Sequence, residues 1–200
     1  MKLFVNQTSP YARKVRIVVR ELGLVPELID VDPWNDPAEL LAISPLSKVP
    51  VLVTGEGLVL TESDTIARYL AERAASARLL PRDTSARAEV CARMALLQGM
   101  IDAAFDAVIE KRRPASMQWP EWVARQQRAV MRGLVLVAQW PMPAHRFDLG
   151  DIGLACLLGY LDFRHPAIDW REDYPHLGAW FDIVSERPAV AATHPEIALV

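Results

Sequence analysis

The sequence predicts an α/β domain over residues 1–76 followed by an all-helical domain over residues 84–200. Three observations predict it. Strand and helix patterns alternate as β-α-β-α-β-β-α from Lys2 to Ala74. No convincing strand pattern follows Pro81. Between the two halves, Leu79-Leu80-Pro81-Arg82-Asp83-Thr84 reads as a linker ending in a helix cap.

Taken in order, Lys2-Leu3-Phe4-Val5 is a short apolar strand ended by Asn6-Gln7-Thr8. Ser9 followed by Pro10 is a helix start, with serine as N-cap and proline at the first helical position. Val15, Val18, Val19 and Leu22 then share one helical face, and Arg13, Arg16 and Arg20 the other. That basic face is expected to be solvated or to lie at an interface. Gly23 is a C′ terminator. Glu27 to Asp32 reads as a second strand, Pro33 to Pro37 as a loop and Ala38 to Ile43 as a short helix.

Val51-Leu52-Val53 and Leu58-Val59-Leu60 are two apolar runs joined by Thr54-Gly55-Glu56-Gly57. Those turn residues make a hairpin, and so short a connection forces the pair to be antiparallel. Ser63 or Thr61 is the expected cap of the next helix, Asp64 to about Ala74. The hairpin therefore carries polar groups at both ends, Val49-Pro50 at its entry and Glu62-Ser63 at its exit. A third polar point nearby would make this a small-molecule site.

In the second half, helical patterns run from Ser85 to Arg113, Pro120 to Trp140, Leu149 to Phe163 and Tyr174-Pro175 to Glu186. The third is very apolar and is expected to be buried. Asp148 and Asp151 have capping-box spacing at its start, and Phe147 with Ile152 suits a hydrophobic staple. This pair of carboxylates is expected to start the helix, with no catalytic role.

Composition narrows the function classes. An apolar fraction of 52% excludes a disordered chain, and a net charge of −3 gives no drive toward nucleic acid or anionic lipid. Cys91 and Cys156 suit neither a CxxC nor a metal spacing. The four histidines, His145, His165, His176 and His194, have no metal-ligand spacing either, so no metal is expected. The first residues turn polar too early for a signal peptide, and no apolar run is long enough to span a bilayer. A cytoplasmic location with no membrane contact is the expectation.

Five segments in fixed order carry a family resemblance: Ser9-Pro10-Tyr11-Ala12-Arg13-Lys14-Val15-Arg16, Ser44 to Leu52, Leu60-Thr61-Glu62-Ser63-Asp64-Thr65-Ile66, Asp148-Leu149-Gly150-Asp151, and Tyr174 to Phe181 with Arg187-Pro188 and Thr193-His194-Pro195. The chain resembles the cytosolic glutathione transferases, in their serine-type, bacterial form, essentially end to end. That resemblance implies a thioredoxin-like domain (βαβαββα) followed by a C-terminal helical bundle. It also implies a homodimer, a detoxifying transferase activity, and glutathione as co-substrate with no further cofactor. One departure is Asp148, where the family usually has serine or threonine; aspartate caps as well.

The resemblance assigns roles that the residue chemistry can carry. A free thiol has a pKa of about 8.5. Helix N-termini and hydroxyl donors stabilise a thiolate. Ser9 matches the catalytic serine that holds the glutathione sulfur, and Thr8 is the neighbouring alternative. No cysteine stands near position 9 in the sequence, which disfavours the classes that form mixed disulfides. Tyr11 lies inside the helix start, as a wall of the acceptor pocket or plain packing. Val49 before Pro50, cis in the family, offers an extended backbone edge for the ligand's cysteinyl unit. Ser63, at a helix start, suits the γ-glutamyl carboxylate and Glu62 its ammonium. Lys48 suits the glycine carboxylate. Trp34, Phe105 and Met117 are candidates for lining a pocket for a small hydrophobic electrophile. Peroxidase, isomerase or dehalogenase activity on the same site, or a non-catalytic binding role, are the alternative readings.

Overall fold

Side chains alternate across the first strand, β1 (Lys2–Val5), and that alternation sets the layers. Leu3 and Val5 enter the main core, and Phe4 enters a smaller one on the opposite face with Val31, Leu40 and Val51. The computed structural model describes residues 1–143 and 146–195, so His145 lies outside the described residues. β2 (Glu27–Asp30) pairs parallel to β1, and β3 (Val51–Val53) antiparallel to β1. β4 (Val59–Thr61) closes the hairpin, giving the order β2-β1-β3-β4. The predicted second strand stops two residues early, where Asp32 turns to cap the 3-10 turn Pro33–Asn35.

Helix α1 (Pro10–Glu21) starts and stops as its sequence dictates. Ser9 is in extended conformation and its Oγ accepts from the Ala12 N–H at 3.2 Å. Gly23 has φ +65°, its N–H donates to the Arg20 carbonyl and the Leu24 N–H to that of Val19, a Schellman ending. The basic face is the correction. Arg20 is exposed, but Arg13 and Arg16 are buried at 2% and 9% exposure. Periodicity within one helix shows a single apolar face; α1 has packing partners on two sides, α3 on one and α6 and α9 on the other.

After α2 (Ala38–Leu41) and the hairpin comes α3 (Ser63–Arg73). Its N-cap is neither Ser63 nor Thr61. Glu62 takes that position at φ +64°, and Ser63 becomes the first helical residue, buried at 2% exposure. The left-handed turn at Glu62 lets the chain leave an edge strand and enter the helix without a linker. Asp64, in the first turn, pairs with Lys14 of α1.

The second half packs α4 (Thr84–Glu110), α5 (Pro120–Val137), α6 (Leu149–Arg164), α7 (Trp170–Asp173), α8 (Pro175–Ser185) and α9 (Pro188–Ala191). Asp83 caps α4 through the Ala86 N–H at 2.9 Å. Helices α4 and α5 end three residues before their predicted limits, because their last residues tighten into i→i+3 turns such as Arg113 N–H to Glu110 and Trp140 N–H to Val137.

Helix α6 is the buried axis, with every residue from Leu149 to Leu161 out of solvent. Its capping box is complete: Asp148 Oδ1 accepts from the Gly150 and Asp151 N–H groups, and Asp151 Oδ2 from that of Asp148. Arg93 of α4 donates to both carboxylates, at 2.5 Å to Asp148 and 2.9 Å to Asp151. Arg146 adds a second guanidinium. These carboxylates are structural. His165, just past α6, is equally so: its Nε2–H donates to the Ala104 carbonyl at 2.9 Å, and burial pushes its pKa down. Among the described residues, no helix is long and apolar enough to cross a membrane.

Candidate functional site

Strand register brings the sequence-distant polar points to one end of the sheet. Phe4 pairs with Val51, and Val51 pairs with Thr61. The chain leaving β1 toward Ser9, the chain entering β3 from Val49-Pro50, and the chain leaving β4 into Glu62-Ser63 therefore share that end. Because β2 runs parallel to β1, its exit toward Trp34 lies there too.

Two neighbouring hydroxyls at the β1–α1 junction differ in their commitments. Thr8 Oγ1 donates to Asn6 Oδ1 at 2.8 Å, so its proton is engaged. Ser9 Oγ only accepts, from Ala12, and among the described residues nothing takes its proton. Ser9 is half-buried at the N-terminus of a twelve-residue helix, where unpaired backbone N–H groups and the helix dipole favour an anion.

The Val49–Pro50 bond is cis. Pro50 is buried, and Val49 lies outside the β1–β3 ladder. Among the described residues, neither its N–H nor its carbonyl takes a backbone partner. Lys48 is exposed and faces Asp106 of α4 electrostatically. Burial and the charge of Asp102 push the Asp106 carboxyl up, while Lys48 draws it down. Glu62 is exposed beside buried Ser63.

Sequence reading missed the network behind Ser63. Ser63 Oγ donates to Gln98 Oε1 at 3.4 Å, and the same oxygen accepts from Lys14 Nζ at 2.7 Å. Lys14, 1% exposed, also pairs with Asp64. Gln98 Nε2 donates onward to Asp102, which accepts from the Tyr11 hydroxyl at 2.7 Å. The available signal was the spacing Gln98, Asp102, Phe105, which places all three on one face of α4.

Tyr11 packs against an aromatic cluster. Its ring meets Phe105 edge-on at 5.7 Å, and Phe105 stacks on Trp34 at 6.5 Å. The Arg112 guanidinium lies over the Trp34 ring, 5.0 Å from its centroid. Burial and the bond to Asp102 push the Tyr11 hydroxyl far up, so it stays protonated with its proton committed. Met117, in the exposed 3-10 turn Ala115–Met117, makes none of these ring contacts. In space a cysteine does come near Ser9: Cys156 of α6 and Ser9 line one narrow crevice, separate from these rings. It is fully buried, and burial pushes its thiol up, so it is held as a thiol. Both cysteines are free. Among the described residues, no cluster of His, Cys, Asp or Glu is arranged to hold a metal.

A family model described as "Glutathione S-transferase, N-terminal domain" matches residues 8–73, and one described as "Glutathione S-transferase, C-terminal domain" matches residues 120–182. The uncharacterized GST-like protein YibF of Escherichia coli is 35% identical over 98% of each chain. The chain belongs to the glutathione S-transferase family. A glutathione S-transferase of Methylobacterium radiotolerans, solved with glutathione sulfonate, superposes with a TM-score of 0.90 at 34% identity, covering 97% of this chain and 94% of its own. One from Methylobacillus flagellatus, solved with glutathione bound, gives 0.90 at 36% identity over 97% and 98%. The four-stranded sheet with its helices is thus the thioredoxin-like domain of a glutathione S-transferase, and the helices after it form the family's second domain.

Proposed function

We propose that the chain is a glutathione transferase that adds the glutathione thiolate to small hydrophobic electrophiles. The observation that carries this reading is the Ser9 hydroxyl. It caps α1 with its proton uncommitted, at the sheet end where Val49-Pro50 and Glu62-Ser63 also emerge. In this reading Ser9 donates to the sulfur, and the unpaired Val49 backbone holds the cysteinyl unit. Ser63, its hydroxyl turned from the long bond to Gln98 Oε1 toward the ligand, takes the γ-glutamyl carboxylate with the start of α3, Glu62 its ammonium and Lys48 the glycine carboxylate. Tyr11, Trp34 and Phe105 offer the electrophile an aromatic wall. No metal or organic cofactor takes part, and a cytoplasmic, detoxifying role fits this chemistry. The glutathione sulfonate and glutathione bound in the two neighbouring structures support the ligand assignment.

Retention on immobilised glutathione, followed by conjugation to a generic aromatic electrophile, tests the reading; absence of both favours a non-catalytic protein. Ser63→Ala is expected to weaken glutathione binding about tenfold, the size of one lost charge-assisted hydrogen bond, with kcat nearly unchanged. Calorimetry giving wild-type affinity would remove Ser63 from the γ-glutamyl end.

The reading includes a homodimer. A groove of about 400 Å3 between α4 and α5 is lined by Leu96, Gly99, Met100, Gly133 and Leu136. Gly133 permits the close approach, since a Cβ there would fall 2.5 Å from the Met100 sulfur. Val135 and Leu136 stay half-exposed beside it. A second copy covering this face would bury them. Sedimentation equilibrium is expected to give twice the chain mass; a single-chain mass overturns the dimer.

A further inference from the structure

Among the described residues, Arg13 is a buried cation without a counter-ion. At 2% exposure, its Nη2 donates to the Val190 carbonyl of α9, at 3.4 Å, while among the described residues Nε and Nη1 have no partner. A guanidinium stays protonated in proteins, so the charge is permanent. Such burial is expensive unless something repays it. The groups facing it do not. On α6, Cys156 is held as a thiol, and Asp162 is already occupied by Trp170 Nε1 and Arg171 at 2.7 and 2.9 Å. Tyr160 of α6, its hydroxyl pushed up by burial, lines the same cleft and stays neutral. On its own helix Arg16 adds a second buried cation. The site is also built for the guanidinium: a Cβ on Gly159 would lie 2.2 Å from Nη1.

The cleft that Arg13 lines is the one behind Ser9, shared with Thr8, Cys156 and Tyr160. Helical side chains lean toward the N-terminus, which carries the Arg13 charge back toward the cap. We propose that Arg13 is an electrostatic positioning residue for the glutathione sulfur, its uncompensated charge favouring the thiolate that Ser9 holds. It does not touch the sulfur. It acts through the low-dielectric wall of the cleft, adding to the α1 N-terminus, and the thiol proton leaves to water. The proposal rests on the glutathione reading of the site.

The test is an ultraviolet titration of the thiolate of glutathione bound to wild type, Arg13→Met, Arg13→Gln and Arg13→Lys, with S-methylglutathione affinity measured alongside. In Arg13→Met the bound thiol is expected to titrate about one pH unit higher, roughly tenfold less thiolate below that pH. Arg13→Gln keeps a donor for the Val190 carbonyl without the charge, and is expected to shift equally. Arg13→Lys is expected to stay within about threefold of wild type in thiolate fraction, as the charge is kept. S-methylglutathione, which has no proton to lose, is expected to bind all four alike. A neutral variant with the wild-type titration curve overturns the proposal, as does a matching loss of S-methylglutathione affinity. Wild type that binds no glutathione overturns the underlying reading as well.

Discussion

Replacing Ser9 with alanine is expected to lower conjugation at neutral pH by about 10- to 30-fold, and the deficit is expected to shrink as pH rises. A hydrogen bond to an anion contributes about 1.5–3 kcal/mol, which equals roughly one to two pKa units on the bound thiol. A thiol returned fully to its free value of about 8.5 would be only about 3% thiolate at pH 7, which caps the deficit at about 30-fold. Above the free pKa both proteins would carry thiolate, and the rates would converge. The sign follows from the chemistry: the hydroxyl favours the deprotonated sulfur, so its loss moves the alkaline-rising limb of kcat/KM to higher pH. Ser9 also caps α1, so alanine removes about 1 kcal/mol of stability as well. Ser9→Gly separates the two effects, because glycine caps almost as well yet has no hydroxyl. Equal activity losses in both variants with unequal midpoints in denaturant are expected. A pH–rate profile for Ser9→Ala that overlays wild type would take Ser9 out of the mechanism.

What made Ser9 legible was local. Ser9-Pro10 and Gly23 carry the start and stop of α1 in their own backbone preferences, and both act as their residue types require. The hairpin and the Asp148–Asp151 box were readable for the same reason. Burial of Arg13 and Arg16 was not readable. It depends on α6 and α9, whose residues stand far along the chain, and a helix wrapped on two sides has no solvent face for its pattern to report. Lys14, Asp64 and Gln98 meet from three helices, and no spacing rule links them. Glu62 was placed at the right point of the chain, but its left-handed backbone was not, since nothing in a glutamate signals φ +64°. Cys156 shows the same limit: far from Ser9 in sequence, it is beside it in space.

The cap of α6 carries the largest expected effect on stability. Asp148→Ala is expected to cost about 3 kcal/mol, a large share of the ~5–15 kcal/mol that holds a domain folded. Two contributions add. Loss of the cap leaves the Gly150 and Asp151 N–H groups unpaired at a helix end sealed from solvent, about 1–2 kcal/mol. The Arg93 guanidinium then keeps one carboxylate where it had two. The site pulls on its own charge in both directions: burial and Asp151 push the Asp148 carboxyl up, and Arg93 draws it back. Net charge at this position is therefore worth less than the acceptor oxygen. Asp148→Asn, which keeps an oxygen for the helix N–H groups, is expected to cost under about 1 kcal/mol. Asp148→Ser is expected to lie close to it, matching the residue types that the family usually has there. Because α1 and α4 both pack on α6, the alanine variant is also expected to lower glutathione affinity and stability together. Denaturant midpoints decide the matter: if alanine and asparagine shift them equally, it is the charge, and not the cap, that anchors the helix.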